Sequence, residues 1–233
     1  MTPNRIITLD IMRTLAIVLM VIFHFIYDLK FFHFISSDIP DGSGWQQFRW
    51  LIISLFFLCL GASLTLAYKQ RFRPKKFFVR VLQIAGAAGV ISIGSYLFIP
   101  KNWIFFGVLH FLAVSSLIGI LFIHHPKISI GLGALFLITG ALQIVPTRWP
   151  FHLLFDNLPS YTNDYVAFVP WFGMVLLGIG LAHANWFLKD PAKNLISYEK
   201  KWWVWPGKHS LSIYLLHQPL LMGALYLVTL LGN

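Results

Sequence analysis

Long apolar stretches, separated by short polar segments that often carry glycine or proline, dominate the hydrophobic pattern of this 233-residue chain. A helix of about 20 apolar residues spans the roughly 30 Å of a bilayer's hydrocarbon. We predict a membrane helix for each of seven such stretches, at residues 6–29, 50–68, 79–99, 104–123, 128–146, 165–187 and 209–231. The pattern therefore predicts an all-α, polytopic transmembrane helical bundle, with 1–233 as a single transmembrane domain.

The composition agrees with a chain that lies mostly in lipid. Hydrophobic residues make up 58% of it and charged residues only 11%, against about a quarter charged in soluble domains. The single cysteine, Cys59, excludes a disulfide within the chain. The first apolar stretch is too long for a signal-peptide core and contains ionisable side chains, so we expect no cleavable signal peptide.

Charge indicates an orientation for this bundle. The net charge is +10, but no basic platform with interleaved aromatic residues suggests a nucleic acid partner. Cytoplasmic loops are enriched in lysine and arginine, which predicts a cytoplasmic N-terminus and an outer C-terminus. Of the 18 basic residues, 14 then lie inside, namely Arg5, Arg13, Lys69, Arg71, Arg73, Lys75, Lys76, Arg80, Lys127, Lys189, Lys193, Lys200, Lys201 and Lys208. The outer charges are Lys30, Arg49, Lys101, Arg148, Asp28, Asp38, Asp41, Asp156 and Asp164.

The first predicted span carries four ionisable side chains, which are costly at membrane depth and commonly mark functional sites. Asp10 and Arg13 are spaced for an ion pair on one helix. His24 and Asp28 are also spaced to share a face, so His24 is a candidate general base that Asp28 would orient. The alternative is that Asp10 and Arg13 only anchor the helix end, while His24 is a packed histidine with a backbone partner.

A second candidate histidine, His110, lies in the fourth predicted span at about the depth of His24. The two could line one pocket, where His110 or Asn102 would donate to an oxyanion. The alternatives are an interhelical hydrogen bond that only holds helices together and a turn role for Asn102. We also place Trp103 and, from the sixth span, Trp171 in the predicted substrate pocket.

The last span begins with Lys208, His209 and Ser210, where a helix N-terminus and a positive charge favour an anion such as phosphate. The alternative for Lys208 is ordinary anchoring on the positively charged side. His217 lies deeper, next to Gln218 and Pro219. On the outer side, His33 could overhang the mouth of the site. The pattern contains no convincing set of metal ligands.

Five segments, in this order along the chain, resemble a known family. They are Leu9-Asp10-Ile11-Met12-Arg13, His24-Phe25-Ile26-Tyr27-Asp28-Leu29, Ile104-Phe105-Phe106-Gly107-Val108-Leu109-His110, Pro170-Trp171-Phe172-Gly173-Met174-Val175-Leu176-Leu177-Gly178, and the stretch from Gly207 to His217. Together they are similar to bacterial relatives of heparan-alpha-glucosaminide N-acetyltransferase. The family often has glycine where Thr14 stands here.

The resemblance implies a multi-pass acyltransferase, in this case of a bacterial inner membrane. Such enzymes take an acetyl group from acetyl-CoA on the cytoplasmic side and transfer it to an acceptor across the membrane, here an amine or hydroxyl of a sugar or glycan. The family's catalytic histidine maps onto His24 or His33. We prefer His24, because Asp28 can orient it.

The sequence thus predicts acetyl transfer with His24, Asp28 and His110 as catalytic residues and His33 as the alternative base. Direct transfer and an acetyl-histidine intermediate both stay open. The predicted acetyl-CoA site consists of Asp10, Arg13, Lys208, His209, Ser210 and His217, and no metal is predicted. Lipid is the expected surrounding partner, and association into a homo-oligomer is left open.

Two other functions fit parts of the same pattern. A small proton-coupled transporter could use His24, Asp28 and His217 as a relay, although we find no inverted repeat in the chain. A scaffold that only organises partners in the bilayer would have no use for so many ionisable residues at membrane depth.

Overall fold

A computed structural model describes residues 6–154, 158–159, 162, 164–193 and 202–232 of the chain. Four of the loop charges used to predict the orientation, Arg5, Asp156, Lys200 and Lys201, lie outside the described residues.

The described residues are helical and contain no strand, which confirms the predicted all-α class. Short 3₁₀ turns occupy Pro100–Asn102 and Ile120–Phe122. The α-helices are α1 Ile7–Phe31, α2 Ser43–Tyr68, α3 Pro74–Phe98, α4 Val108–Gly119, α5 Pro126–Ala141, α6 Phe151–Leu154, α7 Phe168–Leu181, α8 Asn185–Leu188, α9 Trp205–Lys208 and α10 Ser210–Gly232.

Among the described residues, four helices are long and apolar enough to cross a membrane, namely Ile7–Phe31, Ser43–Tyr68, Pro74–Phe98 and Ser210–Leu231. Three further predicted spans coincide with shorter apolar helices, at Val108–Phe122, Pro126–Ala141 and Phe168–Leu181. Seven crossings and a cytoplasmic N-terminus therefore stay predictions. Helix α2 begins seven residues before the predicted start at residue 50, since Trp45 and Phe48 continue its apolar face and pack near Phe23 of α1.

Large apolar side chains are exposed along α3 and α10. Leu82 on α3 and Leu231 on α10 are 68% and 88% exposed, and aliphatic neighbours extend both surfaces. Exposed apolar faces of this extent suit hydrocarbon rather than water. Together with the four long apolar helices, they mark a membrane protein.

The chain groups into two compact units, Met1–Phe56 with Lys189–Asn233, and Phe57–Leu188. The single-domain prediction for 1–233 is not tested by this grouping. In the first unit, α1 packs against α9 and α10. Its apolar core is built around five buried side chains, Ile17, Met20, Phe23, Ile39 and Ile52.

The second unit depends on very close helix packing, which small residues allow in membrane proteins. Within it, α7 packs against α4 and α5, and α3 packs against α4. Gly61 of α2 faces the backbone of Val175 on α7, and Gly178 of α7 faces the backbone of Leu58. A Cβ atom at either glycine would overlap a carbonyl oxygen, so the two backbones can approach only because both side chains are absent.

We expect Gly61→Ala to lower the free energy of unfolding by about 1–3 kcal/mol, the usual cost of overpacking a tight contact. The control is Gly44→Ala in the same helix, where an added Cβ meets nothing within 4 Å. Thermal unfolding of the purified protein in detergent measures both. Equal melting temperatures for the two variants would contradict the proposed α2–α7 contact.

Candidate functional site

The start of α1 is capped by a carboxylate from far along the chain. The N-cap residue itself, Ile6, forms no capping hydrogen bond with its side chain. Instead, Asp190 accepts hydrogen bonds from the backbone N–H groups of Ile7 and Thr8, each at 2.8 Å, and from the Thr8 hydroxyl at 2.7 Å. The Thr8 hydroxyl in turn accepts from the backbone of Ala192. A negative charge at a helix N-terminus also opposes the helix dipole, so Asp190 anchors α1.

One turn further, α1 carries the predicted ion pair. Arg13 Nη1 donates to Asp10 Oδ1 at 3.0 Å, which confirms the i, i+3 pairing, and the carboxylate is buried. The Thr14 hydroxyl donates to the Asp10 carbonyl and accepts from the Gly207 N–H at 3.1 Å. Gly207 sits so close that a Cβ there would overlap the Asp10 carbonyl oxygen. Helix α9 therefore rests directly on this turn of α1.

Deeper in the same unit, α1 and α10 bring two histidines together. The ring centroids of His24 and His217 are 4.8 Å apart and the rings are nearly perpendicular, at 73°. His24 Nδ1 lies 2.9 Å from the Met20 carbonyl, and His217 Nδ1 lies 2.7 Å from the Tyr214 carbonyl. A carbonyl only accepts, so each Nδ1 carries a proton. In the neutral rings both Nε2 atoms therefore keep a lone pair.

Next to the two histidines, Asp28 is fully buried. Gln218 Nε2 donates to Asp28 Oδ1 at 2.8 Å, across 190 residues of sequence. Asp28 was predicted to orient His24, but the bond that orients the His24 ring is the one to Met20. A direct effect of Asp28 on His24 therefore stays a prediction, while a contact between Asp28 and α10 is observed.

Aromatic side chains pack beside this polar cluster within the first unit. Phe23, next to His24 in sequence, packs against Trp45 and Phe48 of α2. Tyr214 lies between His217 and Phe56, with ring centroids 5.8 and 6.4 Å away.

His110 lies in the second unit, and both its ring nitrogens are occupied there. Gly107 N–H donates to His110 Nδ1 at 3.2 Å, so Nε2 carries the proton and donates to Ser92 Oγ at 3.0 Å. Ser92 Oγ in turn donates to the Ile104 carbonyl at 2.6 Å. This is the interhelical hydrogen bond weighed as the alternative for His110. An oxyanion role would require exchange of the Ser92 bond and stays a prediction.

The three residues predicted for the substrate pocket also lie in the second unit. Asn102 ends a 3₁₀ turn, with its N–H on the Ile99 carbonyl. Trp103 packs near Tyr96 and Phe105, and Trp171 packs near Phe57. Their assignment to a pocket stays a prediction.

The remaining predicted site residues lie at the ends of helices in the first unit. Lys208 is exposed, and Ser210 begins α10. The ring of His209 stacks on Trp205 with a centroid distance of 4.6 Å. His33 is exposed in the turn after α1 and has a positive φ of 61°. Within the described part of the chain, no group of three or more His, Cys, Asp or Glu side chains could hold a metal ion.

Two residues of this site were not predicted from the sequence. In the sequence, Asp190 stands in a predicted inner loop beside lysines and resembles a solvated charge. Gln218 stands out in the sequence only as a polar neighbour of His217. In both cases the partner lies more than 180 residues away, and local spacing carries no signal for such a pair. The usable signal for Gln218 was an amide at membrane depth, which needs a polar partner.

The family of the chain follows from its similarity to known protein families. A family model for the catalytic region of heparan-alpha-glucosaminide N-acetyltransferase matches residues 5–219. The chain belongs to the heparan-alpha-glucosaminide N-acetyltransferase catalytic family. No curated protein and no solved structure matches it. This N-acetyltransferase family match covers α1 and extends through His217 and Gln218, and it identifies the chain as a membrane acetyltransferase.

We expect Asp190→Asn to destabilise the protein at neutral pH. Burial tends to raise the pKa of Asp190, but hydrogen bonds from Thr8 and Ile7 and the charge of Lys193 outweigh it and hold that pKa below its ordinary value. The stabilisation is thus fully present above the ordinary carboxyl pKa of about 4 and is lost as the pH falls through the lowered native value.

The difference in melting temperature between wild type and Asp190→Asn should therefore shrink at acidic pH. Asparagine tolerates the positive φ of 52° at this position, so the substitution changes mainly charge. Asp41→Asn, on an exposed side chain, is the control. A difference that is constant from pH 7 to the acid limit of the protein would contradict the charged cap.

Proposed function

We propose that this membrane acetyltransferase takes its acetyl group from acetyl-CoA at the cytoplasmic end of α1 and transfers it to an amine or hydroxyl of a sugar or glycan on the outer side. The observation that carries the proposal is the contact between His24 and the buried His217, inside the region matched by the family. A bacterial inner membrane is the proposed location.

The separation of the two polar regions of α1 supports acetyl-CoA as the donor. Asp10 and His24 are 14 residues apart, which is about 21 Å along a helix. The phosphates of the donor would bind at the polar end of α1, near Arg13 and Lys208, because charges are costly in hydrocarbon. Coenzyme A joins its phosphates to the thioester through a long, uncharged pantetheine arm. A donor of that shape can leave its charge outside and deliver the acetyl group at depth.

His24 is the proposed general base. Its Nδ1 is held by the Met20 carbonyl, so Nε2 can take a proton from the acceptor's N–H or O–H. The acceptor atom then bonds to the acetyl carbon, the carbon–sulfur bond breaks, and the imidazolium returns its proton to the leaving CoA thiolate. The same Nε2 would be the nucleophile if the acetyl group passes through an acetyl-histidine.

Positive charge at the proposed cytoplasmic side suits the phosphates of CoA. The exposed basic residues between α2 and the first turn of α3 lie in the second unit, and Lys208 lies in the first. One of the basic residues, Lys69, is engaged locally: its Nζ donates to His183 Nδ1 at 3.0 Å, and His183 Nε2 donates to the Ile123 carbonyl. Lys208, exposed in the same unit as His24, is the proposed contact to a phosphate of CoA.

Acetyl-CoA should stabilise the purified protein against heat, by about 2.7 kcal/mol at a hundredfold excess over its dissociation constant. We expect Lys208→Ala to reduce this shift, since it removes a cation from the proposed phosphate end. Lys101→Ala, on the predicted outer side, is the matched control. If acetyl-CoA fails to raise the melting temperature, the proposed donor is wrong.

Substitutions at His24 and at His33 distinguish the two candidates for the general base. We expect His24→Asn to lower kcat by about 10²–10⁴-fold, the usual contribution of a general base. His33→Asn, which tolerates the positive φ, should leave most activity. The assay follows release of CoA thiol in the presence of amino sugars. The opposite order of the two effects would transfer the role to His33.

A further inference from the structure

Three buried polar atoms near His24 have no hydrogen-bond partner among the described residues. They are Asp28 Oδ2, His217 Nε2 and Gln218 Oε1. Asp28 is 0% and His217 8% exposed. Leaving a buried polar group unsatisfied costs about 1–3 kcal/mol, and native proteins contain few such groups. Three of them on two facing helices point to a ligand that contacts this place.

The chemistry of the three atoms is the same. His217 Nε2 is an acceptor because Nδ1 holds the ring proton on the Tyr214 carbonyl. Gln218 uses its amide nitrogen on Asp28, which leaves its oxygen to accept. A carboxylate oxygen accepts as well. His24 Nε2, in the adjacent ring, also keeps a lone pair. The cluster thus offers acceptors to whatever enters it.

We propose that Asp28, His217 and Gln218 bind the acetyl acceptor through its N–H and O–H groups, next to His24. This assignment rests on the proposed function for the reaction itself. It places His217 with the acceptor rather than with acetyl-CoA. The thioester end of acetyl-CoA offers carbonyl and sulfur atoms at its reacting centre, which do not complement a cluster of acceptors.

Gln218 positions the other groups in this arrangement. Its amide nitrogen donates to Asp28 Oδ1, which leaves Asp28 Oδ2 to accept from a ligand. The oxygen of the same Gln218 amide is also left to accept. A ligand that presents donors on neighbouring atoms satisfies several of these acceptors at once. One with a single donor leaves the others desolvated and unpaired. Sites of this kind discriminate strongly against analogues that lack a donor.

A purely structural role is the competing explanation. In that case the Asp28–Gln218 bond would only join α1 to α10, as interhelical hydrogen bonds do in membrane proteins. Loss of the bond would then lower stability and leave ligand affinity unchanged. The two explanations differ in binding, which can be measured without turnover.

The test compares wild type, Gln218→Leu and the lipid-exposed control Leu220→Ala on the same helix. Calorimetry measures the binding of glucosamine, glucose and cyclohexylamine to the full chain in detergent, without acetyl-CoA. Transfer assays on the same samples give the KM of each acceptor and of acetyl-CoA.

We expect Gln218→Leu to weaken glucosamine binding by about tenfold or more, with the KM of acetyl-CoA unchanged and Leu220→Ala like wild type. Cyclohexylamine should bind more weakly than glucosamine to wild type.

Each outcome decides a different claim. If Gln218→Leu weakens glucosamine binding but the protein shows no acetyl transfer, the binding site would stand and the proposed function would be rejected. Unchanged affinity in Gln218→Leu, or no binding of any donor-bearing probe by wild type, would overturn the inference. A His217→Leu variant that raises the KM of acetyl-CoA but not that of the acceptor would overturn the role given to His217.

Discussion

A polar atom placed in hydrocarbon must find its partner within the protein, and α1 is built around that constraint. The helix carries two carboxylates and a histidine in its buried or half-buried part. Three of its long-range polar contacts come from the C-terminal part of the chain: Asp190 at its start, Gly207 one turn on, and Gln218 further along the helix. The first helix is therefore specified by residues at the opposite end of the chain.

This arrangement explains why the candidate site belongs to one compact unit although its residues lie at the two extremes of the sequence. Residues 57–188 are a separate unit whose own helices pack through glycine contacts. In the second unit, His110 forms a local hydrogen bond with Ser92, and its predicted part in the site stays a prediction. The chemistry proposed for α1 therefore depends first on the contact between α1 and α10.

The seven long or apolar helices could be predicted from apolar stretches, because the length and composition of a stretch are local properties; the short helices α6, α8 and α9 were not predicted. Within the site, the pairing of Asp10 with Arg13 was equally local and is confirmed. The contacts of Asp28 and of the start of α1 could not be predicted, since their partners are 190 and 182 residues away, respectively. Spacing shows which residues share a helix face, and it does not show which helix that face meets.

The tautomers of the two histidines then limit what the site can do. Each ring gives its Nδ1 proton to a carbonyl of its own helix, one turn earlier. Helix geometry therefore sets the protonation pattern, and neither ring needs a carboxylate to orient it. That leaves Asp28 and Gln218 available for another purpose. Two bare Nε2 atoms, a carboxylate oxygen and an amide oxygen therefore lie in one part of the first unit, and all of them accept. A substrate that carries N–H and O–H groups would supply the donors that such a set requires, and this complementarity is the geometric reason for placing the acetyl acceptor there.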